Sequence, residues 1–263
     1  MKNIFEFAAY CLHTHQFDEK LARTRQAWVL DEKGQLDYQS TQEPQPISKT
    51  RFPKRPELLD PQDMPNRKLS TVSGLRAFFH AIAHIEWMAI YLAWDILYRF
   101  RQMPLEFYHD WLRVAHEEVE HFSLVRGHMN RMGIDYGDLP AHRGLWDVAE
   151  KTANDLMARL ALVPRYMEAR GLDVTPGMIE KFANAGDWES VDLLTRILHD
   201  EVGHVELGSR CFRYVCDQNG LESEEKYKEL ITQYQKTKRK VALNREFRKK
   251  AGFSDAELDW LEN

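Results

Sequence analysis

Two short stretches of this sequence carry the residue types that bind metal ions at the spacing a helix requires. One is His116-Glu117-Glu118-Val119-Glu120-His121 and the other is His199-Asp200-Glu201-Val202-Gly203-His204; aligned without gaps, they agree at four of six positions. Each contains a Glu-x-x-His, namely Glu118/His121 and Glu201/His204. Residues three apart lie about one turn apart on a helix, so each pair presents a carboxylate oxygen and an imidazole nitrogen from one face. One such pair arises easily on a charged helix surface. Two in matched contexts, 83 residues apart, are far more specific. Paired Glu-x-x-His helices, each matched by a further helix that gives one glutamate, are the ligand set of di-iron and di-manganese carboxylate bundles.

The two additional glutamates can be read from spacing. Glu86 precedes Glu118 by 32 residues and Glu168 precedes Glu201 by 33, as if one helical hairpin occurred twice. Glu86 lies within the most apolar stretch of the chain, where a carboxylate is costly to bury without a partner. Arg76 or a nearby histidine would be the structural alternative to a metal. Glu168 lies close to Gly171, one turn beyond Pro164, which should kink the helix. Asp155 and Glu150 are therefore alternatives to it. Asp200 and Glu117, each beside a ligand glutamate, suit an outer role, hydrogen-bonding the far nitrogen of a ligand histidine. Glu120, His80, His84, His116 and His199 fall off the ligand faces. The expected set is Glu86, Glu118, His121, Glu168, Glu201 and His204. Carboxylates are hard, anionic and able to bridge, and imidazole suits iron, so the expected cofactor is two Fe ions, with Mn as the alternative.

Four long helical patterns position these residues. The first runs from about Ser70 to Phe100. The second runs from Pro104, suited to a helix start, to Gly133, suited to a stop. The third runs from Asp147, a candidate N-cap, to near Gly171, and the fourth from Asp187 to Asn219-Gly220. The segment GIDYGDLPAHRGLW, between the second and third, can reach about 45 Å when extended, enough to return along a whole helix. Residues 3 to about 30 read as one amphipathic helix. Six of the ten prolines then crowd into Pro44 to Pro65, predicting an extended strap. No strand alternation persists, so the fold class is all-α, with a ferritin-like four-helix bundle having one long crossover as the expected architecture. The expected division, within one compact domain overall, is 1–69 as helix and proline-rich strap, 70–220 as the bundle and 221–263 as a helical extension of one or two helices.

Composition narrows the function. Of 263 residues, 43% are hydrophobic and 29% charged, an ordinary globular balance, and the net charge of −5 announces no nucleic-acid binder. The stretch Leu75 to Phe100 approaches a membrane span in length, but His80, His84, Glu86 and Asp95 interrupt it, which predicts a helix buried in protein. Three cysteines, Cys11, Cys211 and Cys216, form no C-x-x-C pair and point to a reducing, cytoplasmic setting. The N-terminus has no signal-peptide pattern.

The motifs TRFPKRPELL, HAIAHIEWMAIYLAWD, DWLRVAHEEVEHF, GIDYGDLPAH, EARGLDVTP and ILHDEVGHVELGSR resemble those of the ferritin-like proteins grouped as DUF455. The resemblance covers roughly Ile4 to Asn219 and, more faintly, NREFRKKAGF in the tail. It implies a ferritin-like fold with Glu86, Glu118, His121, Glu168, Glu201 and His204 as ligands, and brings no substrate. The Asp-Glu-x-x-His at Asp200 to His204 is also similar to that of bacterial multicomponent monooxygenases and ribonucleotide reductase small subunits.

The expected activity is thus oxidation or hydroxylation of a small organic substrate with O2, supplied by an electron donor that the sequence does not identify; a homodimer is compatible with it. Two alternatives are an iron-handling ferroxidase and a tRNA-modifying hydroxylase. The second rests on the basic run Lys236, Lys238, Arg239, Lys240, Arg245, Arg248, Lys249 and Lys250, a feature that more often marks a solvated helix face. Ala83, Ala89, Gly203 and Gly208 beside the ligands serve either a pocket or close helix packing.

Overall fold

The computed structural model describes residues 2–40, 43–45, 47, 52–65, 68–235 and 242–263. It is predominantly helical, and none of its described helices is long and apolar enough to cross a membrane. The chain divides into two compact units, Met1–Asp147 and Val148–Asn263.

In the first unit, α1 (Ile4–His13) packs on α3 (Val72–Arg99), α2 (Phe17–Glu32) packs on α4 (Leu105–Arg131), and α3 and α4 form the central pair. Capping sets their ends. The Asn3 side chain accepts from Phe5 N at 3.0 Å, and the Thr71 hydroxyl accepts from Gly74 N at 3.0 Å. Pro104 stands at the N-cap of α4, and Gly133, with φ +76°, follows its end.

The single N-terminal helix read from periodicity is two helices, interrupted at Thr14–Gln16. The break lets Phe17 turn onto Trp87, with ring centroids 4.8 Å apart. It also exposes the last carbonyls of α1, and the buried ammonium of Lys20 donates to one of them, Cys11 C=O. The same group lies 3.4 Å above the Tyr91 ring.

The ionisable residues in apolar α3 each have a partner. Asp95 accepts from Arg99 Nε at 2.6 Å, and His80 Nε2 accepts from the backbone N–H of Gly137 at 3.0 Å. His84 Nε2 meets His142 C=O at 2.8 Å and its Nδ1 meets Tyr136 OH at 2.8 Å. A carbonyl only accepts, so Nε2 carries the proton and Nδ1 receives the tyrosine O–H. Burial pushes the imidazole down to about 4, which keeps it neutral for this role. The segment after α4 is therefore clasped to α3. Two short parallel strands, β1 (Leu58–Leu59) and β2 (Ala141–His142), join it to the proline-rich stretch. Phe52 of that stretch packs against Tyr91 and Trp146.

The second unit departs most from expectation. α5 (Gly144–Lys151) contains Asp147 in its interior, and the unit boundary falls inside it. A new helix, α6 (Leu156–Leu162), starts at Asp155, whose carboxylate accepts from Ala158 N at 2.9 Å. It runs into a π-helical turn, Val163–Glu168, and then α7 (Arg170–Asn184), which continues straight through Gly171. One expected helix is thus several pieces, because Thr152 and Asp155 offer the backbone local hydrogen bonds that end one helix and begin another. α8 (Trp188–Gln218) agrees with its predicted ends: Asp187 caps Ser190 N at 3.1 Å and Gly220 has φ +65°.

Among the described residues three helices follow, α9 (Ser223–Tyr234), α10 (Arg245–Lys250) and α11 (Asp255–Glu262). Lys236, Lys238, Arg239 and Lys240 of the basic run lie outside the described residues. The remainder is matched by acids within the chain. Arg245 meets Asp255, Asp259 and Glu262 at 3.0, 2.8 and 2.7 Å, Lys249 meets Asp255 at 2.7 Å, Lys250 meets Glu246 at 2.8 Å, and buried Arg248 meets Asp173 at 2.6 Å.

Burial of Lys20 predicts a measurable pH dependence. Desolvation pushes its amine down from 10.5 to about 7. Between these values the unfolded chain holds a proton that the folded chain sheds, so stability rises with pH across the window, and the penalty is fully present below it. Urea denaturation of wild type and Lys20→Met between pH 7 and 10 should give a wild-type rise that the variant lacks; parallel curves would exclude it.

Candidate metal centre

The apolar, capped helix α3 carries Glu86 inward, and α4 carries Glu118 and His121. All three are buried, with 4%, 2% and 1% of their surface exposed. His121 Nδ1 lies 3.3 Å from Glu86 Oε2 and 3.5 Å from Glu118 Oε2. Each residue offers one ligand atom within 4.8 Å of the others. Two carboxylates around one imidazole, out of water, amount to more negative than positive charge, which a low-dielectric interior accommodates best around a cation. Of the alternative partners for Glu86, Arg76 donates its Nε to Met132 C=O at 2.9 Å, and the neighbouring His80 and His84 bond the segment after α4.

The second unit repeats the pair on α8. His204 Nδ1 lies 3.4 Å from Glu201 Oε1; His204 is buried and the Glu201 side chain is 14% exposed. In both Glu-x-x-His pairs the same imidazole nitrogen faces the carboxylate, at nearly the same distance. That leaves Nε2 of each ring for an outer hydrogen bond, the arrangement that fixes a ligand histidine.

Glu168 is half-buried and ends the π turn. Pro164 opens the turn rather than kinking a plain α-helix: Ala169 N–H reaches back five residues to Pro164 C=O, at 3.1 Å. Such turns shift every later side chain around the helix axis and recur at functional sites. The proline ring fits because α8 presents Gly208 to it. A Cβ there would meet Pro164 Cβ and Cγ at 2.5 and 2.6 Å. Of the four small residues beside the ligands, Gly208 thus serves close packing, Ala83 and Ala89 are buried in the core, and Gly203 faces open space.

Among the other candidates, Asp155 is committed to its cap and Glu150 is exposed. Asp200 binds Arg196 Nε at 2.8 Å and exposed His199 Nδ1 at 3.0 Å, while Glu117 accepts from Arg113 Nη1 at 3.2 Å. Glu120 pairs with Arg25 at 2.7 Å, and His116 stacks on Trp28 at 5.2 Å. Sequence reasoning passed over Arg165, buried beside Pro164 and held bidentately by Glu257 at 2.8 Å. Its signal was an arginine inside the apolar run LALVPRYM, the same kind of anomaly that marked Glu86.

Helices that bury paired carboxylates and imidazoles define this as a helical protein with a candidate metal-binding cluster. The chain matches the family described as "Protein of unknown function (DUF455)" over residues 13–259, and it belongs to that family. It is also 44% identical over 217 residues to a Haemophilus influenzae protein described as "Uncharacterized protein", covering 80% of this chain and 75% of that protein. No solved structure matches it.

Gly208→Ala should destabilise the protein by about 1–3 kcal/mol, the usual cost of forcing an extra methyl into a packed contact. Chemical denaturation measures this, and Gly203→Ala, in open space, is the control; equal stability of the two variants would show that the Pro164 contact yields freely.

Proposed function

We propose that this protein is a non-haem di-iron, or manganese-containing, oxidoreductase that uses O2 to hydroxylate or oxidise a small organic substrate. The observation that carries the reading is the duplicated Glu-x-x-His in which Nδ1 faces the carboxylate at 3.5 and 3.4 Å. In this reading Glu86, Glu118 and His121 hold one ion, and Glu168, Glu201 and His204 hold the other. The finer architecture, a ferritin-like bundle built from α3, α4, the α6–α7 segment and α8, belongs to the same proposal.

The donor set fits the group. Hard carboxylate oxygens and imidazole nitrogens suit Fe(II), Fe(III) and Mn(II), and no thiolate is required. Bound there, the ions would supply one-electron chemistry with O2 at coordination positions that three protein ligands apiece leave open. The protein's own part is positional. Buried Glu86, Glu118 and His121 exclude bulk water from the first set, and the less enclosed Glu201 lies where a substrate or water can approach. Asp200 and Glu117, each tied to a neighbouring arginine, hold the polar surroundings of the ligand helices in place.

Storage of iron as a ferroxidase is the competing reading within the same chemistry. The tRNA reading gains no support from the described part of the basic run, where each cation already has an acidic partner.

Metal analysis of protein purified without chelator should give about two iron or manganese ions per chain, and Glu118→Ala and Glu201→Ala should each lose about one. Wild type that takes up no metal after anaerobic addition of Fe(II) or Mn(II) would sink the proposal, and loading far above two per chain would replace it with storage. Metal should also raise the melting temperature, since a ligand at about 100 times its Kd adds roughly 2.7 kcal/mol to the folded state.

A further inference from the structure

The C-terminal tail meets the π turn at the atoms whose hydrogen bonding distinguishes that turn from an α-helix. In an α-helix the N–H of residue 169 would donate to the carbonyl of residue 165. Here Ala169 N–H goes to Pro164 C=O instead. The carbonyl of Arg165 is reached by two tail side chains: Tyr227 OH of α9 and Arg248 Nη1 of α10 each donate to it at 3.4 Å.

Two of the three guanidinium nitrogens of Arg165 are held as well. Its Nη2 donates to both carboxylate oxygens of Glu257 at 2.8 Å, and its Nε donates to Ser209 Oγ of α8 at 3.1 Å. The rings of Phe212, Tyr227 and Phe253 enclose the guanidinium at 5.0, 4.3 and 4.7 Å. Glu257 is fixed by a capping box with Ser254 at the start of α11. Arg248 is in turn bidentate to Asp173 of α7, at 3.1 and 2.6 Å. Both buried cations are thus matched by buried anions, and all these partners lie in one unit. A buried ion pair is weak evidence for stability but can select one conformation over another. The competing conformations here are the π and α registers of residues 163–168, which differ by one residue, or about 100° of helix rotation, at every position beyond.

We propose that the C-terminal tail is a positioning element: by holding the carbonyl and guanidinium of Arg165, it keeps the π register and so fixes the direction in which Glu168 leaves the helix. The use of Glu168 as a metal ligand rests on the di-metal reading; the control of register does not.

Two variants of the full chain test this. Tyr227→Phe preserves volume and removes one donor. Asp173→Leu with Arg248→Met replaces a buried pair by apolar residues of similar size, an exchange that folded proteins tolerate. In crystal structures of the metal-free proteins, the double variant should return Ala169 N–H to Arg165 C=O and swing Glu168 away from its present direction. In Tyr227→Phe, amide exchange at Ala169 should quicken about ten-fold, a change worth about 1.4 kcal/mol of local opening. An unaltered π turn in the double variant together with unaltered exchange in the single one would overturn the proposal.

Co(II) titration then reads the consequence for the site. Wild type should bind two ions, and the double variant should bind one of them at least about ten-fold more weakly, the usual cost of losing an outer partner. A shifted register with unchanged Co(II) binding would overturn the aiming of Glu168. Failure of wild type to bind Co(II) would instead sink the di-metal reading and leave the tail to be judged by the register alone.

Discussion

Two carboxylates, Glu86 and Glu118, are held out of water within 3.5 Å of a single imidazole nitrogen, and most of the first unit is arranged around that expensive placement. An uncompensated carboxylate in an apolar interior tends to take up a proton, recruit a cation or disrupt its packing. The surrounding structure forecloses the last of these. α3 is apolar on nearly every face and closes against α1 and α4, while His80 and His84 spend their nitrogens on the segment after α4. Histidines so close in sequence to Glu86 are thereby structural. The chain separates those imidazoles that clasp backbone and tyrosine from those that face carboxylates.

The second unit solves a different problem, that of aiming. Glu201 and His204 need only the regular geometry of α8, whereas Glu168 follows a proline and a π turn. Three features converge there: Gly208 makes room for the proline ring, Arg165 is anchored to Glu257, and the tail donates to the carbonyl that the π register releases. Each is costly alone. Gly208 sacrifices side-chain packing, and two buried ion pairs carry desolvation penalties. Their concentration around six residues indicates that the local backbone shape, rather than bulk stability, is what they maintain.

Read alone, the chain marked its two Glu-x-x-His pairs and the ends of its three longest helices, α3, α4 and α8. The repeated Glu-x-x-His depends only on the three-residue period that brings side chains together within one helix, and the geometry at His121 and His204 needs nothing further. Asp187, Gly133 and Gly220 mark helix ends because capping and left-handed turns are properties of one or two residues. The apolar run with Glu86 inside it already implied a buried helix holding a paired carboxylate.

What the tertiary structure decided concerns partners distant in sequence. Arg165 and Glu257 are 92 residues apart, and no local pattern at either position names the other. The break between α1 and α2, the cap at Asp155 and the inclusion of Gly171 in the first turn of α7 were missed because propensity is a weak prior that packing overrides, at Gly171 against a cost of about 1 kcal/mol. Pro164 showed that the helix must deviate, but not how: a kink and a π turn both accommodate the missing N–H, and the choice follows from Gly208 and the tail. Periodicity fixes what a helix can present, while the direction in which a helix presents it is set by whatever packs against it.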